Sequence, residues 1–229
     1  MSSFDYEPLL LSFKLASLTV ILLFIIVLPI AWWLSQTHSK MKPLLEAIFS
    51  LPIVLPPSVL GFYLLVAFAP STTFGEYIQK HFDIQLVFSF TGLVIASMLY
   101  SFPFMLQPLQ SGFEKLNKNM IDASYLSGKG KLTTLFHVAL PNIKPSLVTA
   151  IIITFAHTVG EFGVVLMVGG NIPGETKVAS VAIYEMVEVM DYDQAYIYSG
   201  ILLFLSFLVL LGVYTFNRAQ NKKLGAFDS

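Results

Sequence analysis

The placement of charge constrains this chain more than any other feature. Residues 15–39, 47–75, 84–113 and 194–217 contain no Asp, Glu, Lys or Arg, and 145–174 contains one, Glu161. A helix needs about 20 apolar residues to cross a hydrocarbon core of about 30 Å, and all five stretches are longer than that. A closed barrel would show segments of about ten residues with alternating polarity. The run LTVILLFIIVLPI at 18–30 does not alternate. Lipid offers backbone groups no partner, so helices are the remaining solution. The expected fold is an all-α, polytopic membrane bundle of about five transmembrane helices. It forms one domain over 1–229, with spans near 11–34, 44–69, 86–106, 146–168 and 195–216. Only 12% of residues are charged, against about 25% in soluble domains, so a soluble monomer is excluded.

Pro29, Pro52, Pro56, Pro57 and Pro103 fall inside these spans. Each lacks a donor and perturbs its helix. The run Leu51-Pro52-Ile53-Val54-Leu55-Pro56-Pro57-Ser58 is dense enough to predict a partly unwound segment. The first eight residues, MSSFDYEP, carry Asp5 and Glu7 where a signal peptide has bases, so the first span is expected to be retained. With no cysteine, thiolate metal sites and thiol nucleophiles are excluded. His38, His81, His137 and His157 show no metal-ligand spacing. No metal is expected on this chain, and a net charge of −1 gives no case for nucleic acid.

Five spans put the termini on opposite sides. One side collects Lys40, Lys42, Lys115, Lys118, Lys129, Lys131, Lys144, Arg218, Lys222 and Lys223, ten of the 13 bases. The other holds Lys14, Lys80 and Lys177 among nine acids. The positive-inside rule makes the first side cytoplasmic, leaving the N-terminus outside and the C-terminus inside. Residues 178–190 are too short for a span and carry Glu185 and Glu188, so an amphipathic or re-entrant helix is expected there.

The cytoplasmic loop 107–145 reads as two short helices. The first starts at Asn117, a candidate N-cap, and ends at Gly128, a candidate left-handed cap. The second runs from Lys131 to Leu140 and is stopped by Pro141. Ile121, Ala123, Tyr125 and Leu126 offer a face for docking. The pattern Asp122-Ala123-Ser124-x-x-x-Gly128, nine residues, Val138-x-Leu140-Pro141 resembles the coupling motif of importer-type ABC permeases. That family has Glu, Ala and Ile where this chain has Asp122, Ser124 and Val138. In the family, the element docks on an ATP-hydrolysing subunit. Ala123 and Ser124 are small enough for close approach, Gly128 turns the chain, and Leu140 and Pro141 fix the second helix. Asp122 is read as a cap or a partner for a base. The chain has no Walker A loop, since Gly128-Lys129 and Gly130-Lys131 lack its other residues. It is therefore not expected to be an enzyme, and ATP and magnesium belong to a partner.

Three further segments carry a closer resemblance: Leu51–Ser58 with Val59-x-Gly61, Gly160-Glu161-Phe162-Gly163, and Asn171-Ile172-Pro173-Gly174-Glu175-Thr176. Together they resemble the molybdate permeases of ABC importers over most of the chain. Sulfate/thiosulfate permeases resemble it in the second and fourth spans, and tungstate shares molybdate's charge and shape. The resemblance implies a type I importer fold and a permease homodimer in the bacterial inner membrane. It also implies two copies of an ATPase subunit, a periplasmic or lipid-anchored oxyanion-binding protein, and alternating access.

No base lies deep in a span, so a dianion needs hydroxyl and backbone donors. Candidate path or gate residues are Pro56, Pro57, Ser58, Gly61, Thr154, Thr158, Gly160, Glu161 and Gly163. Intramembrane charges are functional candidates by default. A carboxylate repels an oxyanion, however, so Glu161 is expected to cap a break at 160–163 or pair with a base such as Lys14. His157, four residues earlier, shares its helical face. A proton-coupled secondary transporter built on Glu161 and His157 is the reading of a different class, and it leaves the docking motif unexplained.

Overall fold

The computed structural model describes residues 5–225, with side chains through Thr215. The described residues are helical and irregular, without strands. Three helices are long and apolar enough to cross a membrane. These are α1 (Glu7–Gln36), α5 (Phe90–Glu114) and α12 (Tyr192–Gly225), the last counted over Tyr192–Thr215.

The centre is a three-helix packing of α1, α5 and α9 (Lys144–Val159). Lipid tails are as apolar as leucine, so burying apolar area does not drive helices together there. Small residues that let backbones approach, and hydroxyls that bond across, serve instead. Ala16 and Ala31 on α1, Ser101 on α5, and Ala150 on α9 are all fully buried, and the Ser101 hydroxyl bonds across to that of Thr158 on α9. Around this seam pack Leu23, Val27, Leu34, Met105, Leu109 and Phe113. By contrast, α2 (Lys42–Val54) buries no residue, and the apolar stretch of α12 within Tyr192–Thr215 is only 11% buried.

The second expected span is two helices. α2 and α3 (Pro57–Phe68) meet at 106°. Leu55 precedes Pro56, and Pro56 precedes Pro57. A residue before proline is pushed out of the helical region, and both sit at ψ 135°. The Pro56 carbonyl then accepts from Val59 and Leu60 at 2.9 and 3.2 Å, opening α3. Pro29, Pro52, Pro103 and Pro108 stay inside continuous helices.

The fourth expected span is also interrupted. α9 ends at Val159, and α10 (Gly163–Gly169) begins after an irregular Gly160-Glu161-Phe162. Two further helices flank the bundle: α4 (Thr73–Phe82), capped by the Thr72 hydroxyl, and α11 (Ala179–Glu188). The second lies where an amphipathic segment was expected. The first was not anticipated.

Candidate functional site

The hairpin predicted for coupling is formed by α6 (Lys118–Leu126), α7 (Lys131–Thr134) and α8 (Leu140–Asn142), with a π turn at Leu135–Ala139. The Asn117 side chain accepts from the Asn119 N–H at 3.0 Å and caps α6. Gly128 has φ +78°, the left-handed region that favours glycine. Its N–H donates to the Tyr125 carbonyl, and the Lys129 N–H to that of Ser124.

Within the motif, Ser124 is buried and its hydroxyl lies 2.9 Å from the Thr134 hydroxyl, clamping α6 to α7. Asp122 and Ala123 are exposed, as are Leu126 at 90% and Leu132 at 72%. Ile121 points inward against Leu135 and Phe113 instead of joining the docking face. Asp122 neither caps α6, a role Asn117 fills, nor forms a salt bridge among the described residues.

Pro141 does not stop the second helix, as the sequence suggested. The π turn immediately before it widens the backbone, which relieves the clash a proline ring makes with the preceding turn. The helix continues to Asn142, whose amide donates to the Val138 carbonyl at 2.7 Å. The bend follows at Ile143, where the segment turns 83° into α9. Val138 and Leu140 are half-buried, with Leu140 packed on the core, and Pro141 is exposed.

A second feature lies where α3, α5, α9 and α10 meet. A recess of about 610 Å³ is lined by Pro57, Ser58, Tyr100, Ala156, His157, Gly160, Glu161, Phe162 and Gly163. Five of the path candidates therefore share one surface: Pro57, Ser58, Gly160, Glu161 and Gly163. Gly61 and Pro56 lie outside the lining. A Cβ on Gly61 would sit 2.8 Å from Met167 Cβ, so this glycine seats α3 on α10. Gly163 plays the same part, 2.8 Å from Pro57 Cβ by the same construction. Thr154 and Thr158 are fully buried and also outside the lining.

Thr158 belongs to a hydroxyl relay. Its Oγ1 donates to the Thr154 carbonyl at 2.9 Å and lies 3.0 Å from Ser101 Oγ, itself 3.0 Å from His157 Nδ1. A hydroxyl has one proton to give. With Thr158 donating to Thr154, Ser101 donates to Thr158, and His157 Nδ1–H donates to Ser101. The imidazole stacks on Phe104, with centroids 3.9 Å apart, and lies 4.8 Å from the Tyr100 ring.

Glu161 is buried, and its carboxyl oxygens make no well-formed hydrogen bond. The Ser97 hydroxyl is the polar group beside it. The side chain therefore neither caps the break nor pairs with Lys14, which lies over the Phe90 ring at 4.6 Å. Its backbone does the fastening, since the Ser180 hydroxyl donates to the Glu161 carbonyl at 2.6 Å and ties α11 to the break. Tyr100, Ser97 and Ser101 escaped the sequence reading. Their signal was polar residues at helical spacing inside a charge-free stretch.

Residues 25–224 match the family described as the binding-protein-dependent transport system inner membrane component. The chain belongs to this family. It is a multi-pass permease component of the inner membrane. It is 45% identical over 218 residues to the molybdenum transport system permease protein ModB of Azotobacter vinelandii, covering 95% of this chain and 96% of that one. It is 32% identical to ModB of Escherichia coli K12, over 80% of both chains. The sulfate transport system permease CysT of E. coli K12 is 31% identical over 81% of this permease and 66% of its own length.

Among solved structures, a chain of the bacterial ABC transporter that imports alginate superposes with TM-score 0.76 at 15% identity, covering 96% of the permease and 80% of that chain. The inward-facing methionine transporter MetNI gives 0.72 at 16%, covering 94% and 95%. The fold expected from the sequence, that of a type I importer permease, is the fold found.

Proposed function

We propose that this permease carries molybdate into the cell as the membrane subunit of an ATP-driven importer. The supporting observation is the near-complete, equal-length match to ModB at 45% identity. The coupling hairpin, with Ala123 and Leu126 exposed and Ser124 clamped beneath them, adds to it. On this reading two permease copies pair in the membrane, and two ATPase subunits hold the ATP and magnesium. A periplasmic or lipid-anchored protein delivers the oxyanion. The N-terminus lies outside and the C-terminus in the cytoplasm.

The recess would open and close by movement at the breaks on either side of α3 and α10. The oxyanion would meet Ser58, the free backbone groups near Gly160, and the Tyr100 hydroxyl. High affinity belongs to the delivering protein, since no Lys or Arg lines the recess. The 31% likeness to CysT keeps sulfate and thiosulfate as the second reading, and tungstate shares molybdate's geometry. The test is uptake by vesicles carrying the permease with its ATPase and binding protein. Labelled molybdate should enter only with internal ATP, and excess sulfate should not compete. Uptake driven by a proton gradient without ATP would overturn the reading in favour of a secondary transporter. Competition by sulfate at equal concentration would shift the cargo.

A further inference from the structure

A second cavity, of about 340 Å³, lies at the C-terminal end of α1. Pro29, Trp32, Trp33, Leu132 and Leu135 form its walls, and Gln36, Tyr125 and Lys131 its polar rim. It runs along α1 from Gln36 back to Pro29, about 10 Å at 1.5 Å per residue. One end therefore lies level with the coupling hairpin, and the other inside the apolar part of a long apolar helix. A soluble partner at the membrane face reaches the first end only. In a bilayer, the depth of the second is that of the acyl chains.

Trp and Tyr gather at the level of lipid headgroups, and Trp33 here is 50% exposed. Lys131 is exposed and forms no salt bridge among the described residues, and Lys129 stands two residues away. Asp122, one turn before Tyr125 on α6, does not neutralise Lys131. Bases of this kind beside a membrane helix attract anionic headgroups.

We propose that this groove binds one anionic phospholipid of the surrounding bilayer. Its phosphate sits at Lys131 and Tyr125, and an acyl chain lies against Pro29, Trp32, Trp33 and Leu132. The bound lipid joins α1 to α7 and braces the coupling hairpin against the bundle. Tyr125, read from sequence as part of the docking face, contributes to this groove instead.

The test uses the whole transporter in nanodiscs of phosphatidylcholine and phosphatidylglycerol. A trace of phosphatidylglycerol carries a diazirine on its acyl chain. After illumination, adducts should concentrate on peptides holding Trp32–Trp33 and 131–135. Lys131→Gln, an exposed change, should cut that labelling roughly fivefold, and so should a diazirine phosphatidylcholine probe. The proposal is overturned if these peptides are labelled no more than Leu203 and Phe204 on α12, or equally by both lipids. It is also overturned if removing the ATPase exposes the groove to label for the first time, which would assign it to the protein interface. Molybdate uptake is not a readout here, so failure of this proposal leaves the transport reading untouched.

Discussion

Glycine serves opposite purposes at the coupling hairpin and at the α3–α10 junction. Gly128 has φ +78° and nothing within 4 Å of the place a Cβ would occupy. It is chosen for backbone conformation, in open space. Gly163 and Gly61 have ordinary backbone but stand against neighbouring side chains at 2.8 Å. They are chosen for thickness. The first kind lets a surface element turn toward a partner. The second seats α3 on α10, so the walls of the recess move together. The two kinds should therefore respond differently to the size of a substituted side chain.

The largest effect is expected at the junction. Overpacking costs about 1–3 kcal/mol, so Gly163→Ala should lower the thermal midpoint clearly. Gly163→Val should cost more and abolish uptake. A series flat with side-chain size would break the comparison. At Gly128 the cost is conformational, about 1–2 kcal/mol for an L-residue in this region, and nearly the same for Ala, Leu and Lys. Asn tolerates the left-handed region and should lose less. Gly128→Val should insert normally and fail to couple ATP hydrolysis to uptake. Normal uptake by that variant would remove the coupling role.

Beneath the hairpin, a double-mutant cycle on Ser124→Ala and Thr134→Val should return about 0.5–1.5 kcal/mol of coupling in melting experiments. Zero coupling would mean that the clamp does not order α6 on α7.

The smallest effect serves as a control away from both regions. Lys177 and Glu185 form a salt bridge. The Lys177 ammonium holds the Glu185 carboxyl below its ordinary value of 4.5. Such a group stabilises above the unfolded carboxylate's pKa and loses that contribution as pH falls through the folded value. Lys177→Met should cost at most about 1 kcal/mol at pH 7, because the pair is partly exposed. That deficit should shrink as pH falls below the ordinary carboxylate value of 4.5 and the Glu185 carboxyl becomes protonated. A deficit independent of pH would assign Lys177 a packing role.

Much of the hairpin was legible because its signals are local. Asn117 as a cap and Gly128 as a left-handed turn are decided within a few residues. The π turn was not legible, since no residue type in Leu135–Ala139 specifies it. The break at Pro56–Pro57 was legible for the same local reason. The interruption at 160–162 was legible only as one of two alternatives, a break for Glu161 to cap, because Gly-Glu-Phe-Gly is also compatible with a helix, and the close packing of Gly163 on Pro57 is not visible in sequence. Glu161 drew attention as a lone charge, which fixed its importance and not its neighbours. Ser97, Tyr100 and Ser101 come from residues far away in sequence, and only the packing of α5 on α9 brings them near.

The π turn gives the motif's spacing a meaning in helical phase. The stretch between Gly128 and Leu140, which sets the motif's spacing, includes the extra residue that a π turn inserts. Deleting a single residue within 135–137, ahead of Val138, would let the segment relax into ordinary α-helix. Every motif side chain would survive, yet the docking surface would be rotated by about 100° against α9. Changes of length there should therefore do more damage than any change of letter.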